Sequence, residues 1–190
     1  HWHADSTFFE NPPMGAILQA HVLPAVGGDT CFSSMYAAYE ALSPAVRSFL
    51  DGLTARHHPG PTLERTRGKA LYKSNPALAQ RPPVPHPVIA ANPRTGRRQL
   101  YVNANFTIAI DGLEKVESDN WLRFLFAHIK SPEFQLRYRW SKNDVAFWDN
   151  QAVHHYAVAD YDTRRLMQRV TLLGEPPAGI VRSVAAREAV

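Results

Sequence analysis

The first residues that could do chemistry stand at the start of the chain. His3 and Asp5 put an imidazole and a carboxylate two positions apart, with Ala4 between them. In extended backbone, side chains at i and i+2 share a face, so both groups aim at one point. His1 shares that face, but as the first residue it is poorly placed to be held. A neutral imidazole plus a carboxylate is two-thirds of the two-histidine, one-carboxylate triad that binds ferrous iron and leaves coordination positions open. The pair alone fits a polar surface strand equally well. The iron reading needs a second histidine far down the chain.

That histidine is available in His154–His155, directly after the strand-like run ending at Trp148. Adjacent residues in extended chain point to opposite faces, so only one of the two can reach a metal shared with His3 and Asp5. Next come Arg165, Met167 and Arg169, spaced to project from one face of a strand. Two arginines on one side of a half-buried strand are costly unless each meets an anion. The guanidinium fork suits carboxylates and other oxyanions. The alternative is a solvent-facing pair on an outer sheet surface, the position expected for Arg137 and Arg139.

Several elements must position these groups. Gly15 to Leu23 reads as a strand, followed by a turn at Gly27 and Gly28 and a second short strand. A helix follows from Met35, with Ser33 or Ser34 as its N-cap. Another runs from Ser43, with Pro44 at its first position and Gly52 at its end. The polar, proline-rich stretch from His57 to Pro87 reads as a long loop covering a site. His86 to Ala91 and Gln99 to Val102 form a hairpin around Asn92 to Gly96. Trp121, Leu122, Leu125 and Ile129 have helical spacing, with Ser118 or Asp119 as the cap. Phe134, Leu136, Tyr138 and Trp140 alternate on the buried face of a strand. Two further strands follow, in "DVAFWDN" and "RRLMQRVTLL". The pattern is mainly β with added helices, an antiparallel sandwich or barrel.

Bulk composition fits this. The chain has 190 residues, 45% hydrophobic and 20% charged, enough for one domain with a sizeable core. Its net charge is +4, but the cations are scattered and no aromatic-basic motif accompanies them, so nucleic acid is not an expected partner. A basic site for a small anion fits. Cys31 is the single cysteine, which excludes an internal disulfide and cysteine-based zinc sites and suits a reducing cytoplasm. No apolar run approaches a membrane span. The chain begins inside a candidate motif without an initiator Met, and it reads as part of a longer protein.

The ordered motifs "WHAD", "GGDTCFSSMYAAYEALSP", "LYVNANFTIAI", "FLFAHIKSPEFQLRYRW", "DVAFWDN", "HHYAVADY" and "RRLMQR" resemble the TauD/TfdA family of Fe(II)- and 2-oxoglutarate-dependent dioxygenases. The resemblance covers nearly the whole chain. It implies a double-stranded β-helix, a cupin-like jelly roll, forming a single catalytic domain over 1–190 that lacks a preceding segment. It implies that His3, Asp5 and His155 hold iron, since the family's distal histidine directly precedes Tyr-Ala. Thr30 and Arg165 would then bind 2-oxoglutarate. Arg169 would meet an anionic substrate, with Phe106 and Ser6 beside it, and O2 would take the last position on the metal.

Taurine or a related alkyl sulfonate is the first substrate the resemblance implies; a sulfate ester, an aryloxyalkanoate or another carboxylate would use the same chemistry. Gln151 and His154 stand where the family commonly has Arg and Gln. The 57–87 loop departs furthest from the taurine enzyme. A non-catalytic, metal-binding jelly-roll module is the competing class. A homo-oligomer is expected to shield a sheet edge left open.

Overall fold

The computed structural model describes residues 1–65 and 76–179. In chain order the strands are β1 (Gly15–Val22), β2 (Thr30–Ser34), β3 (Thr54–His57), β4 (Val84–Pro87), β5 (Ile89–Ala91), β6 (Arg98–Leu100), β7 (Thr107–Ile110), β8 (Gln135–Tyr138), β9 (Val145–Asp149), β10 (Val153–Ala157), β11 (Leu166–Leu172) and β12 (Ala178–Gly179). The helices are α1 (Met35–Glu40), α2 (Pro44–Leu50), α3 (Gly60–Arg65) and α4 (Lys115–His128). The fold is mainly sheet with few helices, as the alternating patterns require. Among the described residues no helix is long and apolar enough to cross a membrane.

The strands form antiparallel sheets ordered β11-β1-β9, β10-β2-β8, β12-β5-β6 and β4-β3-β7. The first two face each other: Phe32 of β2 lies with its ring centroid 5.5 Å from that of Trp148 of β9. The main core sits on the other side of β10-β2-β8, where Cys31 packs with Met35, Tyr39, Leu125 and Ile129. Burying each of these large side chains stabilises the fold by about 2 kcal/mol. The space between the two facing sheets is left for the polar residues described below.

Local signals held where the cap chemistry was specific. The Ser34 side chain accepts from the Ala37 amide at the start of α1. The Ser43 side chain accepts from Val46 N, with Pro44 at the first helical position of α2. At Asn92–Gly96 the Asn92 side chain accepts from the amides of Arg94 and Thr95, closing the expected turn.

Three expectations need correcting. Helix α4 begins at Lys115, earlier than a Ser118 or Asp119 cap would give. Glu114 and Glu117 form a reciprocal capping box, and Ser118 is instead buried, accepting from Ile110 N at 2.8 Å. The strand expected over 86–91 is divided at Val88, whose N–H donates to Leu53 O while its carbonyl accepts from Tyr101 N. Residues before it pair with β3 and residues after it with β6. The stretch 57–87 is a long loop only in part. It starts in β3, continues into α3, and returns through a 3-10 turn at Pro76–Gln80 into β4; residues 66–75 lie outside the described part.

The strand expected through Phe134, Leu136, Tyr138 and Trp140 is shorter and not buried on one face: Phe134 ends a 3-10 turn against the main core, β8 covers only Gln135–Tyr138, and Leu136 is 60% exposed. It pairs across from Phe32 and so looks into the space between the facing sheets. Its partner face carries Arg137, ion-paired to Asp29 and Asp160 and so not merely in solvent.

Candidate active site

His3 and His155 are joined as an isolated antiparallel bridge. His3 N donates to His155 O at 3.1 Å, and His155 N donates to His3 O at 2.8 Å. Directly paired residues project to the same side, and the two imidazoles lie with centroids 4.5 Å apart. His155 also rests against the Trp148 ring at 4.8 Å. The adjacent His154 points the other way and is buried at 1% exposure. The alternation of β10 therefore selects His155.

Asp5 sits on the turn that follows. The Asn150 side chain clamps it at both ends: Asn150 Oδ1 accepts from Asp5 N at 2.7 Å, and Nδ2 donates to Asp5 O at 3.1 Å. Nδ2 also donates to Pro13 O at 2.9 Å. Ser6 takes φ of +54°, a conformation that non-glycine residues adopt rarely and at a cost. The result is a carboxylate with Oδ1 3.6 Å from His3 Nε2 and Oδ2 3.8 Å from His155 Nε2. One ligand atom from each of the three residues lies within 4.8 Å of the others.

Protonation suits metal binding. His3 Nδ1 is 2.9 Å from His1 O, and a carbonyl can only accept, so Nδ1 carries a proton and Nε2 is the nitrogen turned toward Asp5. Burial, reinforced by the nearby His3 charge, pushes His155 down to about 3. Burial acts to raise Asp5, but His3, His155 and Arg169 more than offset it and hold its carboxyl at about 2. At neutral pH His155 is neutral and Asp5 ionised, the forms a divalent ion requires. Neutral nitrogens with one carboxylate oxygen fit ferrous iron.

Arg169 lies on this cluster, with Nη1 3.2 and 3.1 Å from the two Asp5 oxygens. That partner was not legible in its strand position. Its side chain is half exposed. Arg165 stands just before β11 and not on it as its spacing from Arg169 led one to expect, and it is held differently: Nε donates to Gly28 O at 3.0 Å, and its guanidinium lies over the Tyr161 ring. Its Nη2 is buried and has no partner among the described residues. A buried cationic N–H without an acceptor is expensive, and marks a place where an anion fits. Thr30 is buried, and its Oγ1 accepts from Trp140 Nε1 at 3.0 Å. The hydroxyl hydrogen remains to donate to a ligand. Phe106 is buried edge-on against Phe8, three residues beyond Asp5, with ring centroids 5.0 Å apart.

Sequence reasoning missed the supports. Asn150 reads as an ordinary turn residue after a strand. Thr7, His57 and Asn103 are each fully buried beneath the Asp5 turn. Asn103 Nδ2 donates to Thr7 Oγ1 at 3.0 Å, and His57 Nδ1 lies 2.8 Å from the same oxygen. Only its place inside a polar stretch marked His57, and that suggested a loop.

Burial, followed by the charges of His86 and His154, lowers the His57 imidazole well below its usual value. The unfolded chain takes up this proton below about pH 6.5, and the folded chain resists it. Stability therefore falls as pH drops below that value, by about 1.4 kcal/mol per pH unit for one such histidine. Urea unfolding midpoints measured from pH 7 to pH 5 should decline, and more shallowly in His57→Gln. An equal slope in the variant would assign the acid sensitivity elsewhere.

The sequence matches the profile described as "Taurine catabolism dioxygenase TauD, TfdA family" over residues 1–171. It is 36% identical to the alpha-ketoglutarate-dependent sulfate ester dioxygenase of Pseudomonas putida, across 94% of this chain and 61% of that protein. It is 33% identical to the (S)-phenoxypropionate/alpha-ketoglutarate-dioxygenase of Sphingobium herbicidovorans, across 92% of this chain and 62% of that protein. The chain thus spans about three-fifths of the length of these relatives. The crystal structure of AAD-2 in complex with Mn(II) and N-oxalylglycine superposes with a TM-score of 0.82 at 28% identity, covering 94% of this chain and 70% of that one. With the profile matched from His1 to beyond Arg169, the chain belongs to the TauD/TfdA family of alpha-ketoglutarate-dependent dioxygenases.

Proposed function

We propose that this chain is the catalytic part of an Fe(II)- and 2-oxoglutarate-dependent dioxygenase that hydroxylates a small organic anion. One observation carries the reading: three metal-ligating groups converge with Arg169 of β11 upon them, and Arg165, directly before that strand, has a buried N–H with no partner among the described residues. The facing sheets β11-β1-β9 and β10-β2-β8 support a double-stranded β-helix around the site.

His3 Nε2, His155 Nε2 and an Asp5 oxygen would hold the metal. Iron bound there would couple O2 reduction and decarboxylation of 2-oxoglutarate, giving succinate and CO2, to hydroxylation of a substrate carbon. Arg165 would take the distal carboxylate of 2-oxoglutarate in its free N–H, with the Thr30 hydroxyl donating to the same cosubstrate. Arg169 already lies at the metal-binding carboxylate, within reach of an anion bound beside it. Its fork suits a sulfonate, sulfate or carboxylate. Phe106 and Ser6 would form walls of the substrate pocket. The aromatic and apolar surroundings of His155 would keep water from the reacting centre.

Taurine or another alkyl sulfonate remains the first substrate, in keeping with the family description. A sulfate ester is the second, favoured by the Pseudomonas relative, and an aryloxyalkanoate the third. Hydroxylation beside sulfur or ester oxygen would release sulfite from taurine, or sulfate from an ester. A cytoplasmic location fits the free, buried Cys31. A homo-oligomer would cover Val145, Phe147 and Val170, which are 57, 64 and 53% exposed.

Succinate formation tests the reading. The full-length protein with Fe(II), 2-oxoglutarate and O2 is assayed against taurine, alkyl sulfonates, sulfate esters and aryloxyacetates. Substrate-dependent succinate is expected, with sulfite or sulfate identifying the sulfur class. Metal binding with no succinate from any compound would favour the non-catalytic module.

A further inference from the structure

The contacts that hold Arg165 run outward to residues with no role in the chemistry above. Arg165 Nε donates to Gly28 O at 3.0 Å. The Gly28 amide in turn donates to Asp160 Oδ1 at 2.8 Å. Asp160 Oδ2 pairs with Arg137 Nη2 at 3.1 Å, and Arg137 Nε pairs with Asp29 Oδ2 at 2.7 Å. Asp29 is buried, and its carbonyl accepts from Val158 N at 2.9 Å. Two loops on either side of Arg165 are thereby tied to each other and to the back of β8.

The glycines make the approach possible. Gly27 and Gly28 have φ of +83° and +76°. A Cβ on Gly27 would stand 2.5 Å from Asp160 Oδ1, and one on Gly28 would stand 3.1 Å from Arg165 Nε. The "GGDT" run is thus a compact device. Its glycines admit Asp160 and Arg165, its aspartate anchors Arg137, and its threonine faces the site.

We propose that Asp160, with Arg137 and Asp29, is a latch that positions Arg165 for the distal carboxylate of 2-oxoglutarate and so sets the length of diacid accepted. This rests on the dioxygenase reading. The metal end of the cosubstrate is fixed by His3, Asp5 and His155. The far end is fixed by where Gly28 O holds Arg165. Asp160 touches neither metal nor cosubstrate and is a positioning residue. The physical basis is preorganisation: a guanidinium held in place gives up little freedom when the carboxylate arrives. A loosened one also follows a longer diacid more readily.

Calorimetry on the Mn(II)-loaded full-length protein, without turnover, tests this with 2-oxoglutarate and with 2-oxoadipate, one methylene longer. Asp160→Ala is expected to weaken 2-oxoglutarate about 10-fold and 2-oxoadipate less than about 3-fold. Asp160→Asn, whose side-chain oxygen still accepts from Gly28 N, should stay within about 3-fold of wild type. Mn(II) affinity should be unchanged in both. Unchanged 2-oxoglutarate affinity in Asp160→Ala overturns the latch, as does a parallel loss of Mn(II) affinity. Equal weakening of both diacids overturns its role in length selection. Equal loss in both variants overturns the Gly28 hydrogen bond as the holding contact. Wild-type protein that binds Mn(II) but no 2-oxoglutarate removes the dioxygenase reading and the latch with it.

Discussion

Asp5→Asn is expected to abolish substrate-dependent succinate formation, by more than about 1,000-fold, because it removes the only anionic donor of the site. In metal centres of this kind the carboxylate supplies the charge that two neutral imidazoles lack. The change is nearly isosteric, and Asn150 still has the backbone N and O of residue 5 to hold. Loss of activity would therefore report the ligand and not the turn. Thermal shift separates the two. At a Mn(II) concentration about 100 times its dissociation constant, wild type should gain about 2.7 kcal/mol of stability. The variant should gain almost nothing. An Asn variant stabilised by Mn(II) like wild type would remove Asp5 from the metal. Arg169 adds a second consequence, since Nη1 loses a charged partner at 3.1 Å.

Arg165→Ala should raise the 2-oxoglutarate concentration for half-maximal rate about 100-fold. A hydrogen bond to a charged group contributes about 1.5–3 kcal/mol, and about 2.7 kcal/mol corresponds to that factor. Arg165→Lys should recover part of the loss. An ammonium restores the charge but cannot both donate to Gly28 O and present a second, fixed N–H. Arg169→Ala provides the contrast: its effect should fall on substrate half-saturation, with that of 2-oxoglutarate changed less than about 3-fold. If both arginine variants shift the same constant, their division of labour between cosubstrate and substrate is wrong.

The sequence by itself determined the chemistry's ingredients. His3 and Asp5 stand at strand spacing, and Arg165 and Arg169 follow at a spacing that suits one strand face, although only Arg169 lies within β11. Ser43–Pro44 and Asn92–Gly96 act through neighbours a few positions away, so their cap and turn could be read locally. Tertiary structure decided everything that depends on two distant segments meeting. Spacing left His154 and His155 both open; the family resemblance pointed to His155, and its pairing with His3 gives the physical reason. Arg169 reached Asp5, and Asn150 gripped that turn, only because the segments carrying them meet between facing sheets. His57 looked like a loop residue until Thr7 was folded onto it. Leu136 carried a core residue's pattern and ended 60% exposed, because its face lines the space between the sheets. Periodicity states which side chains share a face; whether that face meets core, solvent or a ligand depends on the element opposite, and that is a long-range contact.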